Sequence, residues 1–97
     1  MIKVNYNDKV IKISGHAGFD EYGKDIVCAS VSSIVYTTVN GVLNINEGAI
    51  NFIDDKELVI EIISDDSITN KLINSMLDLL KDLEKQYPKN IKISKGE

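Results

Sequence analysis

Ninety-seven residues, 43% hydrophobic and 27% charged, read as one soluble globular domain spanning 1–97 and leave no room for a second. The net charge of −4, with eleven lysines and no arginine, lacks the basic stripe of a nucleic-acid binder and the guanidinium fork that suits phosphate or carboxylate. One Cys excludes an internal disulfide, and one Cys with one His cannot alone cage a metal, so neither metal nor cofactor is expected.

The opening residues MIKVNYND are not expected to act as a signal peptide, since no charged region precedes a long apolar stretch. No apolar run is expected to reach the ~20 residues of a membrane span, so the expected setting is the cytoplasm, with no membrane partner. Residues 2–6 alternate apolar and polar, as a half-buried strand does, and 9–14 alternate again after the turn signal Asn7-Asp8. They lead to Gly15 and His16. Residues 17–25 hold Gly18 and Gly23 without apolar period and read as a mobile loop.

Asp25 stands where a helix N-cap belongs. From Ile26 to about Asn44, Val27, Val31, Ile34, Val35, Val39, Val42 and Leu43 mark one helical face. So many β-branched residues give poor helix propensity, so burial must hold this helix in place. Residues 48–54 and 57–63 read as two strands about a turn at 54–56. The second is apolar enough to be central or buried on both sides. Ser64-Asp65-Asp66 begins a second helix with the stripe Ile68, Leu72, Ile73, Met76, Leu79, Leu80, Leu83 and Tyr87, stopped by Pro88. Residues 90–94 form a last strand. The order is ββαββαβ, an α+β domain whose mixed sheet packs with two helices.

The chemistry-bearing residues gather in 15–33. The only His ends a strand, and the only Cys stands three residues past a helix cap, with a Gly-containing loop between them. A helix N-terminus and a neighbouring imidazolium can lower a thiol pKa from about 8.5 to roughly 3.5–7.5, and a thiolate is a good nucleophile. Spare N–H groups of a first helical turn could serve an oxyanion. Each residue also has a plainer role. A lone Cys is most often a small core hydrophobe, a His after a strand a surface residue, Asp25 a cap, and Ser32 a helix-surface residue one turn beyond Cys28.

The stretch Gly15-His16-Ala17-Gly18-Phe19, then Gly23-Lys24-Asp25-Ile26-Val27-Cys28-Ala29-Ser30-Val31-Ser32, resembles the ribosomal-processing cysteine protease family called Prp. Its GHA block and its D-x-V-C-A block occur in order and contain the only His and the only Cys. The resemblance implies His16 as base, Cys28 as nucleophile, and Asp25 as cap or His orienter with Ser32 in support. It implies a substrate loop over 17–24, with Gly18, Phe19, Tyr22 and Gly23. It implies a homodimer that removes the N-terminal extension of a ribosomal protein precursor, number twenty-seven of the large subunit; the acidic, Arg-free composition separately predicts no direct contact to nucleic acid. Ser30 departs from the Ala expected there and could alter a contact near the nucleophile. The rival readings are a non-catalytic ribosome-assembly module with structural Cys and His, and a thiol redox sensor, which a single Cys without a resolving partner serves poorly.

Overall fold

Alternating sequence becomes sheet here. The computed structural model of the chain describes residues 1–15 and 22–96, of which 22–25 as backbone only. The strands are β1 (Ile2–Tyr6), β2 (Val10–Ser14), β3 (Ile50–Asp54), β4 (Leu58–Ile62) and β5 (Ile91–Lys95), and the helices are α1 (Tyr22–Ile45) and α2 (Ser67–Gln86). The strands form one sheet in the order β3-β4-β2-β1-β5. β1 pairs antiparallel with β2 and parallel with β5, while β4 pairs antiparallel with both β2 and β3. This is the expected ββαββαβ order, and the sheet is mixed.

One face of the sheet is apolar. Ile2, Val4, Ile11, Ile13, Ile50, Leu58, Ile60 and Ile91 are buried on it. Both helices cover that face, α1 through Val27, Val31, Val35, Val39 and Val42, α2 through Ile73, Met76, Leu77, Leu80 and Leu83. β4 is interior to the sheet but is buried on this face only, since Val59 and Glu61 on its reverse are half-exposed. A strand so rich in Ile and Leu needed only one helix layer.

Three expectations change with the packing. By length and composition Ile26–Ile45 could cross a bilayer, contrary to the expectation that no run came close, yet its valines lie on the sheet as a core helix does. On α2, Ile68 and Leu79 are about half exposed, and Leu77 takes the buried place, because the face meeting the sheet is narrower than the apolar stripe. Finally, α1 begins at Tyr22, so Asp25 is its fourth residue and not its cap.

α2 begins as the sequence suggested. Asp66 is its N-cap, with extended backbone (φ −84°, ψ 154°), and Oδ1 accepts from the Thr69 N–H at 2.7 Å. The Ser64 and Thr69 hydroxyls donate to Oδ2 at 2.6 and 2.9 Å. These donors favour the ionised form, that of Ser64 first, and hold the Asp66 pKa at about 2. At the other end Tyr87 closes the helix by donating its N–H to the Leu83 carbonyl at 2.9 Å, just before Pro88.

Candidate active site

Cys28 lies on the second turn of α1, half-buried, where its side chain packs against the edge of the core. Its chain neighbour Val27 is fully buried, and Val31 nearly so. The sequence stripe implied this position beside the core face. The first-turn placement expected for Cys28 is corrected, because the helix starts one turn earlier. At α2 the fourth residue, Asn70, already donates to the cap carbonyl, and by the same count the N–H groups of α1 without an intrahelical acceptor are those of 22–24, with the Cys28 N–H past them. An oxyanion hole built on this helix would therefore use the turn before the cysteine.

Ser32 follows Cys28 by one turn on the same flank and is half-buried. One turn further stands Tyr36, which the motif reading stopped short of. Its hydroxyl donates to Asp54 Oδ2 at 2.6 Å, and its ring meets Phe52 edge-on, with centroids 5.6 Å apart and an angle of 90°. The bond to the carboxylate, with smaller additions from burial and from the nearby charge, raises the Tyr36 pKa above 10. The spacing 28, 32, 36 could have revealed this flank. It carries the cysteine, two hydroxyls and, across from Tyr36, the β3 edge strand.

Ser30 is nearly half a helical turn away from Cys28 around α1. With Ala29, Ser33 and Ile34 it lines a cleft of about 580 Å³ against Leu79, Asp82, Leu83 and Gln86 of α2. The Ala-to-Ser departure therefore sits on another side of the helix from the thiol. A second cleft, of about 550 Å³, lies at the Asn7-Asp8 turn and the start of α2, at the other end of the sheet from Gly15.

The other half of the motif leaves β2 through Gly15. This residue has φ +75°, and a Cβ there would overlap the Met1 carbonyl oxygen. Only glycine meets both conditions, so the strand exit toward His16 is set by backbone packed on backbone. His16, Gly18 and Phe19 lie outside the described residues, as do the side chains of Tyr22 and Asp25; Gly23 is in the first turn of α1. Among the described residues no three His, Cys, Asp or Glu side chains gather as metal ligands.

The fold has solved counterparts. It matches the essential ribosomal processing protease Prp of S. aureus in complex with a substrate peptide, with TM-score 0.86 at 23% identity over 98% of this chain and 97% of the other. The same enzyme with a covalently linked product peptide matches at 0.82 and 24%, with the same coverage. At the level of sequence, the ribosomal processing cysteine protease Prp of Staphylococcus aureus is 33% identical over 100 residues, 96% of this chain and 93% of the relative. That of Mycoplasma genitalium is 31% identical over 97 residues, covering 97% and 95%. The family pattern described as cysteine protease Prp matches residues 1–92. Fold and pattern together define a thiol-dependent peptide hydrolase of α+β architecture. The chain belongs to the cysteine protease Prp family.

Proposed function

We propose that this protease removes the N-terminal extension of a ribosomal protein precursor, number twenty-seven of the large subunit, with Cys28 as nucleophile and His16 as base. The single observation that carries the reading is the place of Cys28. It is the chain's one thiol, it is only half-buried at the core edge, and it falls in a chain that matches the family over residues 1–92. The relatives' name, ribosomal processing protease, and the product peptide bound covalently in one of them support the substrate class and a covalent route.

In that route His16 takes the proton from the Cys28 Sγ. The thiolate attacks the scissile carbonyl carbon, and the resulting oxyanion collapses as the C–N bond breaks. His16 returns the proton to the leaving amine. Water, deprotonated by His16, then attacks the thioester; the C–S bond breaks, the extension leaves as an acid, and His16 returns the proton to the Cys28 thiolate. Asp25 and Ser32 support the pair, the first from the opening turn of α1 and the second from the turn after the thiol. The residues from 17 to 24, with Gly18, Phe19, Tyr22 and Gly23, cover the substrate. The enzyme acts as a homodimer in the cytoplasm, with no membrane partner.

A cleavage assay on the precursor, or on a peptide spanning its extension, tests this. The parent should cleave, and Cys28→Ser and His16→Ala should each lose more than about 10³-fold in rate, as loss of a nucleophile or its base does. Binding without cleavage by the parent would favour an assembly factor instead. Sedimentation of the parent tests the dimer separately.

A further inference from the structure

Among the described residues no helix covers the reverse face of the sheet, and the charge on it is unevenly placed. On β5, β1 and β2 the outward residues form two short rows. Register places Lys92 beside Lys3 and Lys3 beside Ser14 in one row, and Ser94 beside Asn5 and Asn5 beside Lys12 in the next. Lys3, Lys12, Lys92, Asn5 and Ser94 are all exposed. Strands lie about 4.8 Å apart, and diagonal neighbours about 7–8 Å, so three ammonium groups share one small field. Like charges directly opposite, as Lys3 and Lys92 are, oppose the sheet. Among the strand residues on this face the acid is Glu61, two strands from β1, and its carboxylate is engaged by the Asn51 amide at 2.7 Å. The chain as a whole is acidic, so its net charge conceals a local positive field.

We propose that this lysine-bearing face binds the sugar–phosphate backbone of RNA. The net charge led to the expectation of no nucleic-acid contact; the register of the lysines leads the other way. Lys meets phosphate as a point charge, and the Asn5 amide and the Ser14 and Ser94 hydroxyls between the lysines can reach phosphate or sugar oxygens. No aromatic ring stands among these six residues, so bases are not stacked and binding is independent of sequence. The six are polar or charged, while Val59 beside Lys12 and the exposed Ile53 beyond it continue this face toward β3, away from Lys3 and Lys92, so lipid is one arm of the test. Cys28 packs on the opposite, helix-covered side of the sheet. RNA on this face and a peptide at the thiol therefore do not exclude each other.

The test is fluorescence anisotropy of a labelled oligouridine RNA with the intact protein. Three phosphate contacts give a slope of about −2 in log affinity against log salt, or a loss of about 20-fold from 50 to 200 mM. The triple variant Lys3→Gln, Lys12→Gln, Lys92→Gln should weaken binding at least tenfold and flatten the slope. Because it removes like-charge repulsion, it should melt no lower than the parent. No binding by the parent at 50 mM salt would overturn the proposal. So would a triple variant that melts like the parent and keeps its affinity within twofold. Equal binding to polyglutamate of the same length, or to vesicles rich in phosphatidylserine, would overturn the assignment to RNA.

Discussion

Two residues fix the backbone locally, Gly15 at the exit of β2 toward His16 and Asp66 at the start of α2. Gly15 is fixed by a left-handed φ and by the Met1 carbonyl beneath it. Gly15→Ala should cost roughly 1–2 kcal/mol for the backbone alone, and more for the overlap. Because His16 follows directly, cleavage should fall further than the loss of folded protein explains; melting curves and rate measurements on the same sample check this. Asp66 is the second. Its folded pKa lies below the ordinary 3.8, at about 2. Its contribution is therefore present above about pH 4 and is lost as pH falls through about 2. Asp66→Ala should melt several degrees lower than the parent at pH 6, and the gap should narrow as the pH is lowered to 2. Ser64→Ala, which removes the first of the donors, should raise the Asp66 midpoint when it is followed by NMR.

At the scale of elements, α1 and α2 differ in how they are held. α2 has a cap, a stop and a wide apolar stripe, and all three can be read in the residues from Ser64 to Pro88. Leu80, fully buried beneath it, should cost about 2–5 kcal/mol as Leu80→Ala in urea unfolding. α1 was legible only as a valine spacing. Its true start was not, because Gly23 reads as loop by propensity, while the helix continues through it at a cost of about 1 kcal/mol. That one-turn difference moves Cys28 out of the first turn and Asp25 out of the cap position. α1 is also tied to the edge strand by Tyr36 and Asp54. Asp54→Asn removes the negative acceptor, so the phenol of Tyr36 should titrate at lower pH than in the parent, closer to 10, when read by ultraviolet absorbance. A raised phenol stabilises below about pH 10, and that contribution is lost as pH rises through its folded pKa.

At the scale of the molecule, the element order and the helix-covered face followed from period two and period 3.6 alone. The candidate site was legible for a different reason. It rests on one short stretch that contains the only His and the only Cys, and a family resemblance gave them roles that composition could not. What stayed hidden was strand register. The sequence has Lys3, Lys12 and Lys92 at outward positions of separate strands, but nothing in it says that β5 lies beside β1 and not beside β3. A net charge sums over the surface, whereas a partner meets one face of it.

The same register has a consequence in time. Ile2 pairs with Ile91, and the Ile2 N–H is bonded to the Asn90 carbonyl at 2.8 Å. β1 stays a sheet edge until β5 has been made, and Met1, next to that strand, is what Gly15 rests on. Gly15 and Met1 meet across the local β1–β2 pair, but the other edge of β1 can be closed only after nearly the whole described chain has left the ribosome. The last strand to be synthesised therefore covers the edge of the first, and until then a nascent chain offers the free β1 edge to any other extended strand.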